Sequence, residues 1–165
     1  MNISTNRFGT IDISKDEIIL FEQGLLGFED YHKYIILNAD DGSPFRWLQS
    51  VDDGNLAFVI IEPLNFMFEY DLEIPDADQE SLSLERAEDV VIYAIVSIPD
   101  NPQDMTANLQ GPIVINIRDK KGRQIISTNR KHSVKMHILN EMEKRTAKLQ
   151  EIQDSLDSGD KGGES

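Results

Sequence analysis

Three histidines, a run of carboxylates and not one cysteine make up the chemically capable inventory of this chain. His32, His132 and His137 form neither an HxxxH nor an HExxH pattern, so their spacing builds no zinc centre. They read as solvent-exposed or barrel-end residues. Without cysteine there is no thiolate nucleophile and no sulfur-ligated metal. GxSxG, GxxxxGK[ST] and GxGxxG are all missing. The carboxylates between Glu69 and Asp89 could supply a general acid and a general base, as in glycoside hydrolysis. Nothing in the sequence orients any pair of them. The "DAD" at 76–78 lacks the glycine and the distal glutamate of a calcium loop. The expectation is a protein with no catalytic residues, no cofactor and no metal, whose acids lie at the surface.

Charge then becomes the most informative property. The formal net charge is −14. Phosphate backbones would be repelled by such a field, so direct nucleic-acid binding is disfavoured. A basic partner would be attracted, and its arrival sped by ~10-fold or more at low salt. Solubility alone would also profit from the charge. The distribution is uneven. Residues 69–89 hold nine acids and one base, Arg86, a balance of −8, while residues 118–148 hold ten bases and three acids, a balance of +7. A direct RNA-binding role for 118–148 is opposed by the overall charge and by the lack of interleaved aromatics there.

The elements that position these groups are mostly strands. "FGTIDI", "EIILF", "YIIL", "FRWLQSV", "LAFVII", "MFEYDLEI", "VVIYAIVSI", "PIVINI" and "RQIIST" are rich in β-branched and aromatic residues. "NADDGSP" and "DDGN" have turn chemistry, and "RDKKGRQ" reads as a hairpin bending at Lys121-Gly122. Val90 to Val96 are apolar at consecutive positions, as in a strand covered on both faces. Trp47 falls among alternating apolar residues and reads as core. In "TANLQGPIVINI", Thr106 and Asn108 are expected to tie a loop down through side-chain to backbone hydrogen bonds. The expected fold is all-β: a small barrel-like domain of about nine short strands.

Past Leu139 the texture changes to strong helix formers. Leu139, Met142, Leu149 and Ile152 share one side, with Asn140 as N-cap and Glu143 in capping-box position. A helix of three to four turns is expected, then a disordered tail, "DSLDSGDKGGES". The division is therefore a barrel domain over 1–139 and a helical extension with a flexible acidic tail over 140–165. The N-terminus lacks a basic-then-apolar signal pattern, and no apolar stretch approaches the ~20 residues of a membrane span. A cytoplasmic location is the expectation, and nothing demands more than a monomer.

In series, "ILFEQGLLGFEDYHKYIIL", "FRWLQSVDDGNLAFVIIEP", "DVVIYAIVSIP" and "MTANLQGPIVINIRDKKGRQII" resemble the FliW family of flagellar assembly factors. "HSVKMHIL" is similar to the family's closing stretch. The resemblance covers about Phe8 to Leu139. His132 departs from it, standing where the family commonly has tyrosine, and the extension from Asn140 runs past the usual end. The resemblance implies a barrel-like domain that works by binding and not by catalysis. It implies two partners taken in exchange: flagellin, held before export, and CsrA, a basic RNA-binding dimer that represses translation of flagellin mRNA. Freed by flagellin export, such a protein would capture CsrA and relieve the repression. An alternative is a small-molecule or flavin-binding split-barrel protein, which would need a phosphate-cradling cluster that the basic residues here do not form.

Two segments are candidate partner surfaces. The first is the acidic run from Glu69 to Glu80, in which Glu69, Asp71 and Glu73 interleave with Phe66, Phe68, Tyr70 and Leu72, and any apolar member pointing outward could anchor an interface. Otherwise the apolar set is core and the acids are merely solvated. The second is "GLLGF", where Gly24 and Gly27 permit a tight connection. Leu25, Leu26 and Phe28 either plug an open barrel end or form an apolar patch suited to an amphipathic flagellin helix.

Overall fold

The computed structural model describes the chain from Met1 to Glu164 apart from Asp40, with side chains described as far as Asp157. An N-terminal hairpin comes first, β1 (Asn2–Thr5) against β2 (Gly9–Asp12). The main sheet follows: β3 (Ile19–Leu20), β4 (Lys33–Asn38), β5 (Arg46–Ser50), β6 (Ala57–Ile61), β7 (Val90–Ser97), β8 (Thr106–Asn116), β9 (Lys121–Gln124) and β10 (Met136–His137). Neighbours from β3 to β9 pair in order, and the sheet closes on itself through β3 and β9. That closing contact is parallel, Leu20 beside Lys121, with the Leu20 amide donating to the Lys120 carbonyl at 2.9 Å. Seven strands thus form a closed barrel, which leaves no free edge along most of the wall.

β8 is shared by two partners on the side away from β7. Its second half pairs with β9 and its first half with β10. Between them the register against β7 jumps: Tyr93 faces Ile113 but Ile95 faces Asn108, so Leu109, Gln110, Gly111 and Pro112 stand opposite Ala94 alone. This wide bulge is held by Asn108, whose Oδ1 accepts from the amides of Gln110 and Gly111 at 3.1 and 3.0 Å. The loop-tying role expected of Asn108 is realised there.

The interior is packed by side chains. Phe21, Tyr34, Leu48, Ile60, Ile113 and Ile115 form one fully buried cluster; Ile61, Phe66, Ala94, Ala107, Leu109 and Ile138 form a second on the opposite face of the sheet, since Ile60 belongs to the first and its neighbour Ile61 to the second. Trp47 is half-buried, covered by the N-terminal hairpin: Phe8 meets it edge-on at 6.0 Å and the Arg7 guanidinium lies 4.3 Å over its ring.

Four local expectations change. "MFEYDLEI" bends at Phe68 and forms no strand pairing among the described residues, and the short helix α1 (Asp76–Ser81) follows it. The β8–β9 hairpin bends at 117–120, with Lys120 at φ 56, and Gly122 is inside the strand against the Phe21 ring. The C-terminal helix α2 (Ile138–Glu164) starts two residues before the expected cap, so Asn140 lies within it. It also passes Gln153, where Gln150 and Gln153 each donate to the aspartate four residues on, Asp154 and Asp157, at 3.0 Å. Most of the expected tail falls outside the described side chains.

Candidate functional site

The acidic middle and the basic hairpin of the sequence lie against each other. The Arg123 Nε meets the Asp78 carboxylate at 2.8 Å, and Arg118 reaches Glu85 at 3.2 Å and Asp89 at 3.4 Å. Lys121 and Arg123 also donate to the hydroxyls of Ser83 and Ser81. Hence three of the six acids after Pro75 in that run are neutralised within the fold, while Asp76, Glu80 and Glu88 are exposed with no ion pair among the described residues. Glu69, Asp71 and Glu73 are also unpaired: among the described residues no cation lies within ion-pair distance of them, and all three are exposed.

Their exposure follows from a two-residue period. After a short turn at Pro63–Asn65 and a bend at Phe68, burial alternates residue by residue from Glu69 to Ile74, as in an extended chain whose successive side chains point to opposite sides. Tyr70, Leu72 and Ile74 turn inward, Leu72 and Ile74 onto the cluster of Leu82, Val114 and Ile125. Tyr70 donates its hydroxyl to the Leu109 carbonyl in the β8 bulge, and burial pushes its pKa up to about 12. Glu69, Asp71 and Glu73 are left facing solvent.

The apolar candidates of this segment separate. Phe66 is wholly buried in the second core cluster and offers no surface anchor, a correction to the expectation that grouped it with the others. Phe68 is 44% exposed beside the free acids. It is steadied by α2, whose Lys148 ammonium lies 5.0 Å over its ring, while Arg145 donates to the Asn65 carbonyl at 3.1 Å. This docking of α2 on 65–68 had no local sequence signal, because it joins segments about eighty residues apart.

The "GLLGF" loop also divides. Gly24 and Gly27 take φ of 64 and 85, and a Cβ at Gly24 would lie 2.7 Å from the Phe28 carbonyl oxygen. The tight turn drives Leu25, 1% exposed, into the first core cluster, while Leu26 stays 61% exposed. Phe28 is 37% exposed and packs edge-on against Phe58, centroids 5.1 Å apart. So Leu25 plugs the barrel, Leu26 is surface, and Phe28 does some of both. The Leu26 amide donates to Gln124 Oε1 at 2.9 Å, and the Gln124 amide donates in turn to the Gly111 carbonyl at 2.8 Å. One side chain therefore fastens the loop to the bulge.

A cleft of about 590 Å³ opens beside the free acids, lined by Tyr70, Asp71, Leu72 and Glu73 on one wall and Ser127, Thr128 and Asn129 on the other. His132 lies beneath, buried, stacked on Tyr70 and bonded to the Ser127 hydroxyl. The expectation that His132 would be solvent-exposed is corrected. Among the described residues no three His, Asp or Glu side chains gather closely enough for a metal ion, and no helix is long and apolar enough to cross a membrane.

The family model described as FliW protein matches residues 2–138. The flagellar assembly factor FliW of Alkaliphilus metalliredigens is 43% identical over 160 residues, covering 96% of this chain and 99% of the relative. Its counterpart in Leptospira biflexa is 43% identical over 148 residues, covering 89% and 97%. A crystal structure of the flagellar assembly factor FliW superposes with a TM-score of 0.79 at 37% identity, covering 84% of this chain and 96% of that one. The chain belongs to the FliW family of flagellar assembly factors.

Proposed function

We propose that this protein serves flagellar assembly by binding flagellin in the cytoplasm and, when free of it, capturing the repressor CsrA and relieving repression of flagellin mRNA. The observation that carries this is the alternating row of Glu69, Asp71 and Glu73, exposed and free of any described cation, whereas Asp78, Glu85 and Asp89 further along the run are paired internally. CsrA must be basic where it grips RNA. Docked beside that surface, three uncompensated carboxylates would oppose approaching phosphates over about 8 Å at physiological salt. Phe68, next to the acids, supplies an apolar anchor of the kind that carries interface energy. Leu26 and Phe28 offer a second apolar surface, suited to the amphipathic helix of a flagellin chain. The role is binding; no side chain is asked to do chemistry.

The test is a calorimetric titration with CsrA, and separately with flagellin, at low and high salt. Tight CsrA binding that weakens with salt, and weakens about tenfold or more on combined charge reversal of Glu69, Asp71 and Glu73, is the expected result. Tight binding indifferent to both changes moves the interface to apolar residues. No CsrA binding at either salt leaves the flagellin half alone.

A further inference from the structure

The segment 69–74 has the side-chain alternation of a strand but no paired neighbour among the described residues. Its side chains alternate outward and inward without a break. Yet among the described residues no backbone amide from Phe68 to Ile74 finds an acceptor within the protein. The opposite wall of the 590 Å³ cleft is half-paired in a complementary way. The amides of Ile125 and Ser127 donate inward, to the carbonyls of Pro112 at 2.9 Å and Gln110 at 2.7 Å. Those of Ile126 and Thr128, which by strand alternation point the other way, have no partner. Two extended chains thus flank one cleft, each with unused backbone groups. Main-chain pairing with an added strand is the usual use of such an edge.

We infer that this cleft takes an extended segment of a partner protein as a missing strand, paired with the backbones of 69–74 and 126–128. The chemistry of the occupant follows from the register. Side chains of adjacent strands stand about 5 Å apart on the same face. Residues of the occupant on the outer face would therefore lie beside Glu69, Asp71 and Glu73, which lack any described cation of their own. Lysine or arginine at alternate positions fits them. Residues on the inner face would rest over Tyr70, itself stacked on the buried His132, where small or apolar side chains fit. Arg130 and Lys131, exposed just past the far wall, mark where the preference for basic residues ends. The inference rests on the partner-surface role of this segment, but not on which protein supplies the strand.

The test uses the full chain and short synthetic peptides that alternate lysine with valine. One control replaces lysine by glutamate. A second keeps the lysines but methylates alternate backbone nitrogens, removing donors without changing charge. Binding and amide hydrogen exchange are both measured. The expected result is binding of the lysine peptide, weakened about tenfold or more in each control, with new protection at Ile126 and Thr128 and within 70–74. Equal binding of the methylated peptide, or binding without protection on both walls, would overturn strand addition in favour of simple charge attraction. No binding of the lysine peptide would also overturn it. If CsrA or flagellin still binds in that case, the proposed function stands and only the cleft's role is lost.

Discussion

The imidazole of His132 lies against the ring of Tyr70, centroids 4.4 Å apart and planes tilted by 53°. Because Tyr70 belongs to one wall of the cleft and His132 is bonded to Ser127 in the other, the stack joins the two walls. Burial holds the His132 pKa below its ordinary value of 6.5, with nearby Asp71 pulling the other way. Unfolding releases the ring to take up a proton, so the unfolded state binds more protons below that pH. This contribution to stability is complete above pH 6.5 and is lost as pH falls from there toward the lower folded value. Denaturant midpoints measured across this range should decline on acidification, and His132→Tyr should remove part of that decline. An unchanged slope in the variant would show that the proton uptake lies elsewhere.

Leu25 and Leu26 are adjacent in sequence and opposite in fate. Leu25→Ala should cost about 2–5 kcal/mol, because it empties a filled site in the barrel core. Leu26→Ala should stay within about 0.5 kcal/mol. Urea unfolding of the two variants decides it, and comparable losses would contradict the division of the loop into plug and surface.

Three glycines make a graded set. At Gly122 a Cβ would sit 2.4 Å from the Phe21 ring, so Gly122→Ala should lose about 1–3 kcal/mol or more by overpacking. Gly24→Ala meets both a positive φ and backbone at 2.7 Å. Gly27→Ala meets open space and only the left-handed penalty of about 1–2 kcal/mol. Gly27→Ala should be the mildest of the three in equilibrium unfolding.

The C-terminal helix should be needed at its start and dispensable further on. Ile138 is wholly buried, and Arg145 and Lys148 touch 65–68, whereas Leu149, Ile152 and Leu156 are all exposed. Ile138→Ala should lose about 3 kcal/mol, roughly 6–12 °C in the thermal midpoint. Removing 149–165 should leave that midpoint within about 1 °C. A large drop on truncation would show that the distal helix packs on something.

Much of this was legible in the chain itself, because it depends on local chemistry. Runs of β-branched residues parted by Asp, Asn and Gly spelled out the strands of a barrel, and the change past Leu139 spelled out the helix. The alternation of Glu69, Asp71 and Glu73 with Tyr70 and Leu72 showed an extended segment with an acidic face. The family was legible as well, from four stretches in fixed order.

Whether a strand has neighbours, and whether a charge has a counter-ion, depends on residues far away along the chain. Only the tertiary structure laid Arg123 on Asp78 and Arg118 on Glu85 and Asp89, which leaves the alternating Glu69, Asp71 and Glu73 among the acids with no described cation. Only barrel closure placed Gly122 under Phe21, and only the positive φ angles of Gly24 and Gly27 sent Leu25 inward and Leu26 outward. Period and propensity are properties of a segment, and the sequence determined those. Pairing, burial and the balance of charge at a surface are properties of segments brought together, and the fold decided them.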